Sequence, residues 1–458
     1  MADRRAAQMG IQALRTLRGH ERALGAGLLG FILLLGWSPA AATIVDGRIS
    51  AVSYLFEPVS SPVNPDPSTD MLLISRLSLN VREIGTPAWS FYYYGSALGE
   101  VLNEGFSSMR LKVYQGYLGY QPNRGLQARL GRLWVNGGVG SSLIDGASLR
   151  LNRSFGQVAA FAGTRGYFYP GGDTFPSLGK DAWDENGLVS LFYRSPGLWN
   201  QLHLGASWAR TMWQGREEAE RLGVLIDWRP HVRHRLFFEN RYEFNQKVTY
   251  YRHLRWDFLL PTGRSSLSWN RWEGYQPAYE TSYIFQRFQS ESWFPDAMGR
   301  PADEVRARIE LQPESWRGWH GSLALIGLWP QDLESGQGLD FWVGKGILRL
   351  GYRGLRGYGG LVDGFYGNLS YQASRSTRLW FELNRISYRY EYVGMPEVDL
   401  PRQFTVASRL GADYSLTSGW WFSGALEALQ NPAADYEMRF LARIIYRFHL
   451  ESGAKEVQ

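Results

Sequence analysis

The chain has 458 residues, of which 20% are charged, 15% aromatic and none cysteine, with 52 glycines and a formal net charge of +6. Without cysteine there is no disulfide scaffold, no thiol nucleophile and no cysteine metal site, and the composition suits an oxidising compartment. Residues 1–42 hold five of the arginines and two of the acids, which leaves 44 basic and 41 acidic residues in the remainder. That near-neutral balance gives no reason to expect nucleic acid as a partner.

The first segment reads as a targeting signal. Arg4, Arg5, Arg15, Arg18 and Arg22 precede the apolar stretch LLGFILLLGW (Leu28–Trp37), and SPAAAT follows it. A basic region, a short apolar core and a small-residue exit predict a signal peptide over residues 1–42, cleaved between Ala42 and Thr43. The alternative is an N-terminal anchor, but the apolar core falls short of the ~20 residues of a spanning helix.

After Thr43 the chain alternates. MRLKVYQ sets Leu111 and Val113 against Arg110 and Lys112, and QLHLGASW sets Leu202, Leu204, Ala206 and Trp208 against Gln201, His203 and Ser207. ERLGVLIDW sets Leu222, Val224, Ile226 and Trp228 against Arg221 and Asp227. EVRARIELQ sets Val305, Ala307, Ile309 and Leu311 against Arg306, Arg308 and Glu310. RLWFELN and QFTVASRLGADY follow, with Arg378, Glu382, Arg409 and Asp413 on their polar sides. The last segment, DYEMRFLARIIYRFHL, sets Tyr436, Met438, Phe440, Ala442, Ile444, Tyr446 and Phe448 against Arg439, Arg443 and Arg447. Successive side chains of a strand point to opposite faces, so each segment is a two-faced strand. About twenty such segments occur, many of the length a tilted strand needs to cross a bilayer.

Short connections such as QPNRG (Gln121–Gly125) contrast with long ones at Tyr169–Asn186, Phe294–Asp303 and Glu391–Pro401. The chain has 19 tryptophans, and aromatics gather toward segment ends, as at Trp256, Trp269, Trp316, Trp319, Trp420 and Trp421, where a bilayer interface would hold amphipathic rings. No composition break marks a second domain.

In this patterning the chain resembles the bacterial outer-membrane β-barrel proteins, porin-like, over nearly all of its length beyond residue 42. The resemblance implies an all-β fold, a transmembrane antiparallel β-barrel over residues 43–450 followed by a short polar tail, 451–458. Allowing ~20–25 residues per strand and turn gives about 18 strands, with a range of 16–20. Tyr446 and Phe448 match the terminal aromatic signal that the family's assembly machinery reads. Implied partners are outer-membrane lipid and lipopolysaccharide, the barrel-assembly machinery, a second copy of the chain in a homo-oligomer, and a periplasmic export partner. A TonB-dependent transporter would need a plug domain before the barrel, and the stretch after Thr43 is too short for one.

Catalytic signals are weak. His320 and Ser322 share a strand face but lack an orienting acid nearby, His231 and His234 sit beside a turn, and Asp181, Asp184 and Glu185 lie in a long loop. No enzyme activity, cofactor or metal is expected. The lumen face carries Arg110, Lys112, Arg306, Arg308, Arg409, Arg439, Arg443 and Arg447, candidates for charge selectivity, since basic rings favour anions. The counter-reading is a bracing ladder, because Glu239 and Glu243 share a face with Arg235 and Arg241. Inward aromatics such as Trp380 suit stacking on sugar rings. The expected function is a pore passing polar and anionic solutes by diffusion. Alternatives are an export pore for a surface polysaccharide, a closed scaffold or adhesion barrel, and a lipid-modifying barrel enzyme.

Overall fold

The computed structural model describes residues 43–56, 69–102, 110–136, 141–165, 183, 186–199, 201–213, 216–273, 301–331, 335–357, 361–389, 403–416, 419–431 and 434–452. The expected signal segment and the loop acids Asp181, Asp184 and Glu185 lie outside the described residues. Most of each long connection also lies outside them.

Among the described residues the alternating segments form a single antiparallel sheet of 22 strands. β1 (Thr43–Phe56), β2 (Asp70–Arg82), β3 (Trp89–Glu100), β4 (Arg110–Asn123), β5 (Leu126–Asn136) and β6 (Ser141–Arg153) come first. β7 (Gly156–Arg165), β8 (Gly187–Arg194), β9 (Leu202–Trp213), β10 (Arg216–His231), β11 (His234–Glu243) and β12 (Val248–Leu260) follow. Next are β13 (Gly263–Trp272), β14 (Ala302–Leu311), β15 (Trp319–Pro330), β16 (Gly336–Lys345) and β17 (Leu348–Gly357). β18 (Leu361–Gln372), β19 (Thr377–Arg389), β20 (Gln403–Ser415), β21 (Trp420–Asn431) and β22 (Ala434–Ser452) complete the wall.

Every strand pairs with its neighbours in the chain, and β1 also pairs with β22, Thr43 opposite Ser452 through Phe56 opposite Arg439. The sheet therefore has no edge. Closure leaves no open row of ladder N–H and C=O groups along the wall, which is the condition for strands to stand in hydrocarbon.

The strand number corrects the expected 18. Many connections are two residues long, such as Val232-Arg233, Pro261-Thr262 and Gly346-Ile347, and Gly346 takes the positive φ (57°) that such a hairpin requires. Strand and turn together take about nineteen residues, below the usual allowance, so the same length closes with more strands.

Alternation places the faces as the sequence predicts. On β22, Met438, Phe440, Ile444 and Leu450 are exposed on the outer face, and Arg439, Arg443 and Arg447 occupy the inner one. Leu410 and Leu426 continue the outer belt on β20 and β21. At the short-turn end the belt is trimmed with stacked rings: Trp420 on Tyr446 at 4.4 Å, Tyr446 beside Phe448 at 5.9 Å, Trp89 on Tyr120 at 4.7 Å and His234 on Phe258 at 4.8 Å. Such rings sit well at a headgroup boundary. Short turns mark the periplasmic end of barrels of this kind.

Two apolar clusters interrupt the polar inner wall toward the long-connection end. Leu133, Val135, Ile144, Phe161, Leu188 and Ala209 form one across β5–β9, and Ala302, Ile326, Leu328 and Leu355 form the other across β14–β17.

Candidate functional site: the inner wall

Between those clusters the inner wall is built of charge. Register alone assembles it, because residues directly opposite on antiparallel strands share a face. Across β19–β22 the consecutive partners are Glu382, Arg409, Glu427 and Arg439. Arg409 donates to Glu427 at 2.6 Å and lies 3.6 Å from Glu382. Arg439 donates Nε to Glu437 at 2.8 Å and lies 3.8 Å from Glu427.

A second row runs parallel to it. Arg378 donates Nε to Asp413 at 2.9 Å, the Ser423 hydroxyl donates to the other Asp413 oxygen at 2.7 Å, and Arg443 stands opposite Ser423. Elsewhere on the wall Arg194 and Arg235 hold Asp227 at 3.0 and 2.8 Å, and Arg241 holds Glu239 at 2.7 Å. Arg306 lies 3.6 Å from Glu304, while Arg308 pairs with Glu310 at 2.6 Å and donates to Ser322.

The candidate lumen residues thus divide. Arg306, Arg308, Arg409 and Arg439 each hold a carboxylate, the arrangement of a bracing ladder. Lys112 stands opposite Ser96 on β3. Arg110 opens β4 opposite Leu98, and its side chain lies outside the described ones. Arg443 and Arg447 have no carboxylate within ion-pair distance among the described residues.

Around those two, the seam that closes the barrel collects more unpaired charge. Arg447 stands directly opposite Arg48, and Arg76, opposite Ser50, faces the same side on β2. Neither Arg48 nor Arg76 is ion-paired among the described residues. Like charges directly opposite destabilise a strand pair. Nothing in the segments around Arg48 and Arg76 sets these two arginines apart. Their inward parity on β1 and β2 was legible, but their neighbour on β22 is nearly four hundred residues away.

The other candidate sites take ordinary places. His231 and His234 flank a two-residue turn with ring centroids 6.0 Å apart, and His320 packs edge-on against Trp342 at 5.3 Å. Among the described residues no group of three or more histidines and acids is placed to hold a metal.

No protein-family model and no curated protein matches the chain. Solved structures do resemble it. The siderophore receptor PirA of Pseudomonas aeruginosa superposes with a TM-score of 0.53 at 11% identity, covering 88% of this chain and 80% of the receptor. The ferric enterobactin receptor PfeA of the same organism, in a mutant form, gives 0.52 at 11% identity with the same coverage. The outer membrane protein OpdK, also from Pseudomonas aeruginosa, gives 0.39 at 7% identity over 89% of this chain and 99% of that one. At 11% identity the likeness to the two receptors is one of fold, and it agrees with the closed wall. The chain has the closed antiparallel β-barrel fold found in bacterial outer-membrane receptors.

Proposed function

We propose that the protein is an outer-membrane channel that passes polar solutes through a water-filled lumen. The carrying observation is the inner wall itself. It holds ionised rows such as Glu382–Arg409–Glu427–Arg439 on the face opposite an apolar belt. Buried charge without water is costly, and much of this charge is only partly covered: Arg409 and Arg439 keep 37% and 33% of their side-chain surface exposed. Those values support a wet interior. The paired arginines brace the wall, and the unpaired set at the β1–β22 seam adds a local positive potential, which favours anions over cations.

Single-channel recording of the refolded chain in a planar bilayer under a salt gradient tests the reading. The expected result is a steady conductance with a reversal potential on the anion side. Substitution of Arg443 and Arg447 by Ser moves that potential toward zero. A correctly folded barrel that conducts no ions would sink the channel reading.

A further inference from the structure

Near the short-turn end, the inner wall of β15–β22 is hollowed into a recess of about 560 Å³. Two tryptophans and four arginines line it, together with the carboxylates of Glu382 and Asp413. Trp380 has space because its register partner is Gly411, where a side chain would collide with the indole. Trp421 lies under the guanidinium of Arg443, 5.4 Å from ring centroid to Cζ.

The charges of the recess do not cancel. Asp413 is held by Arg378 and Ser423, and Glu382 by Arg409. Arg443 keeps a buried Nε with no hydrogen-bond partner, and the nearest strands across the seam add the inward arginines Arg48 and Arg76. A ligand that brings a carboxylate to Arg443 therefore supplies a counter-ion that the described residues do not give it.

We propose that this recess binds a carboxylated sugar, a hexuronate unit, at the mouth of the channel. The inference rests on the channel reading for its access route but not for the binding itself. Three features converge on that ligand. Indole rings offer a flat apolar surface that matches the C–H face of a pyranose. A guanidinium without a counter-ion makes strong charge-assisted bonds to a carboxylate. Glu382 and Asp413 accept hydrogen bonds only, and the donors a sugar carries are its ring hydroxyls. An aromatic carboxylate would satisfy the first two features and leave those acceptors facing a ring without donors.

The test uses the full chain folded in detergent micelles, with D-galacturonate as the probe and D-galactose and benzoate as controls. Intrinsic tryptophan fluorescence should change saturably with galacturonate, with an affinity at least tenfold above that for either control. Arg443→Gln should weaken galacturonate about tenfold and leave galactose unchanged. Trp380→Phe should weaken both sugars alike, with heat-modifiable gel migration confirming that each variant is folded. Equal binding of galacturonate and benzoate, equal binding of galacturonate and galactose, or no saturable change overturns the proposal. Because binding is read without a bilayer, a barrel that binds galacturonate but carries no current defeats the channel reading alone. A conducting barrel that does not bind it defeats this inference alone.

Discussion

The ring of Phe448 lies over the Cα of Gly47, its register partner across the seam at which β22 meets β1. A side chain at position 47 would occupy the space of that ring. The terminal aromatic is thus seated by a glycine at the opposite end of the chain, and the seat exists only once the barrel has closed.

Gly47→Val should therefore impair the last step of assembly. Displacing the ring is an overpacking change worth ~1–3 kcal/mol. The expected result is a lower yield of the heat-modifiable folded band and a lower urea midpoint. Gly47→Val combined with Phe448→Ala should lose less than the two single changes added together, because they share one contact. Strict additivity would show that the ring does not depend on its glycine seat.

The outer belt and the inner wall should answer differently to the same charge. Leu426 is exposed on the lipid side of β21, and Ala425 beside it faces inward. Leu426→Arg should cost ~2–4 kcal/mol in reversible unfolding from liposomes, the cost of a guanidinium near the bilayer midplane. Ser423→Arg, on the inner face, should cost less than half as much. Comparable losses would mean that the two faces have been assigned the wrong way round.

Glu427 sits between Arg409 and Arg439, 2.6 and 3.8 Å away. Glu427→Gln removes a shared counter-ion from two partly exposed arginines. Stability should fall by about 1 kcal/mol or less, since solvent screens such pairs, while the reversal potential under a salt gradient moves further toward anions. An unchanged potential would show that this ladder does not face the conducting path.

Arg132 and Asp145 form the contrasting case. Arg132 donates Nε and Nη2 to the two Asp145 oxygens at 2.7 Å each, and both side chains are only 4% exposed. Its Nη1 donates to the Val113 carbonyl at 3.0 Å. Asp145→Asn should cost ~3–5 kcal/mol, because it strands a buried charge. Arg132→Met with Asp145→Leu should recover much of that loss. A single-variant cost under 1 kcal/mol, measured by urea unfolding, would count against the burial of this pair.

The alternation along β22 determined by itself that Phe440 and Ile444 face one medium and Arg439 and Arg443 another, because the two-residue period of a strand is a local property of the backbone. The same local rule placed the aromatics Trp420 and Tyr446 at the end of the belt and put Arg306 and Arg308 on the inner face. Strand number was decided only by the closed structure. It depends on how little chain each turn consumes, and two-residue turns such as Val232-Arg233 blend into the strands they join. Pairing was likewise decided in three dimensions. Arg409 and Arg443 look alike in their segments, yet one is matched with Glu427 and the other with Ser423. The partner opposite is set by register between strands, and across the β1–β22 seam that register joins the two ends of the chain. The recess is a product of the same register, since Trp380, Asp413, Trp421 and Arg443 come from four strands and share one hollow only when those strands are aligned.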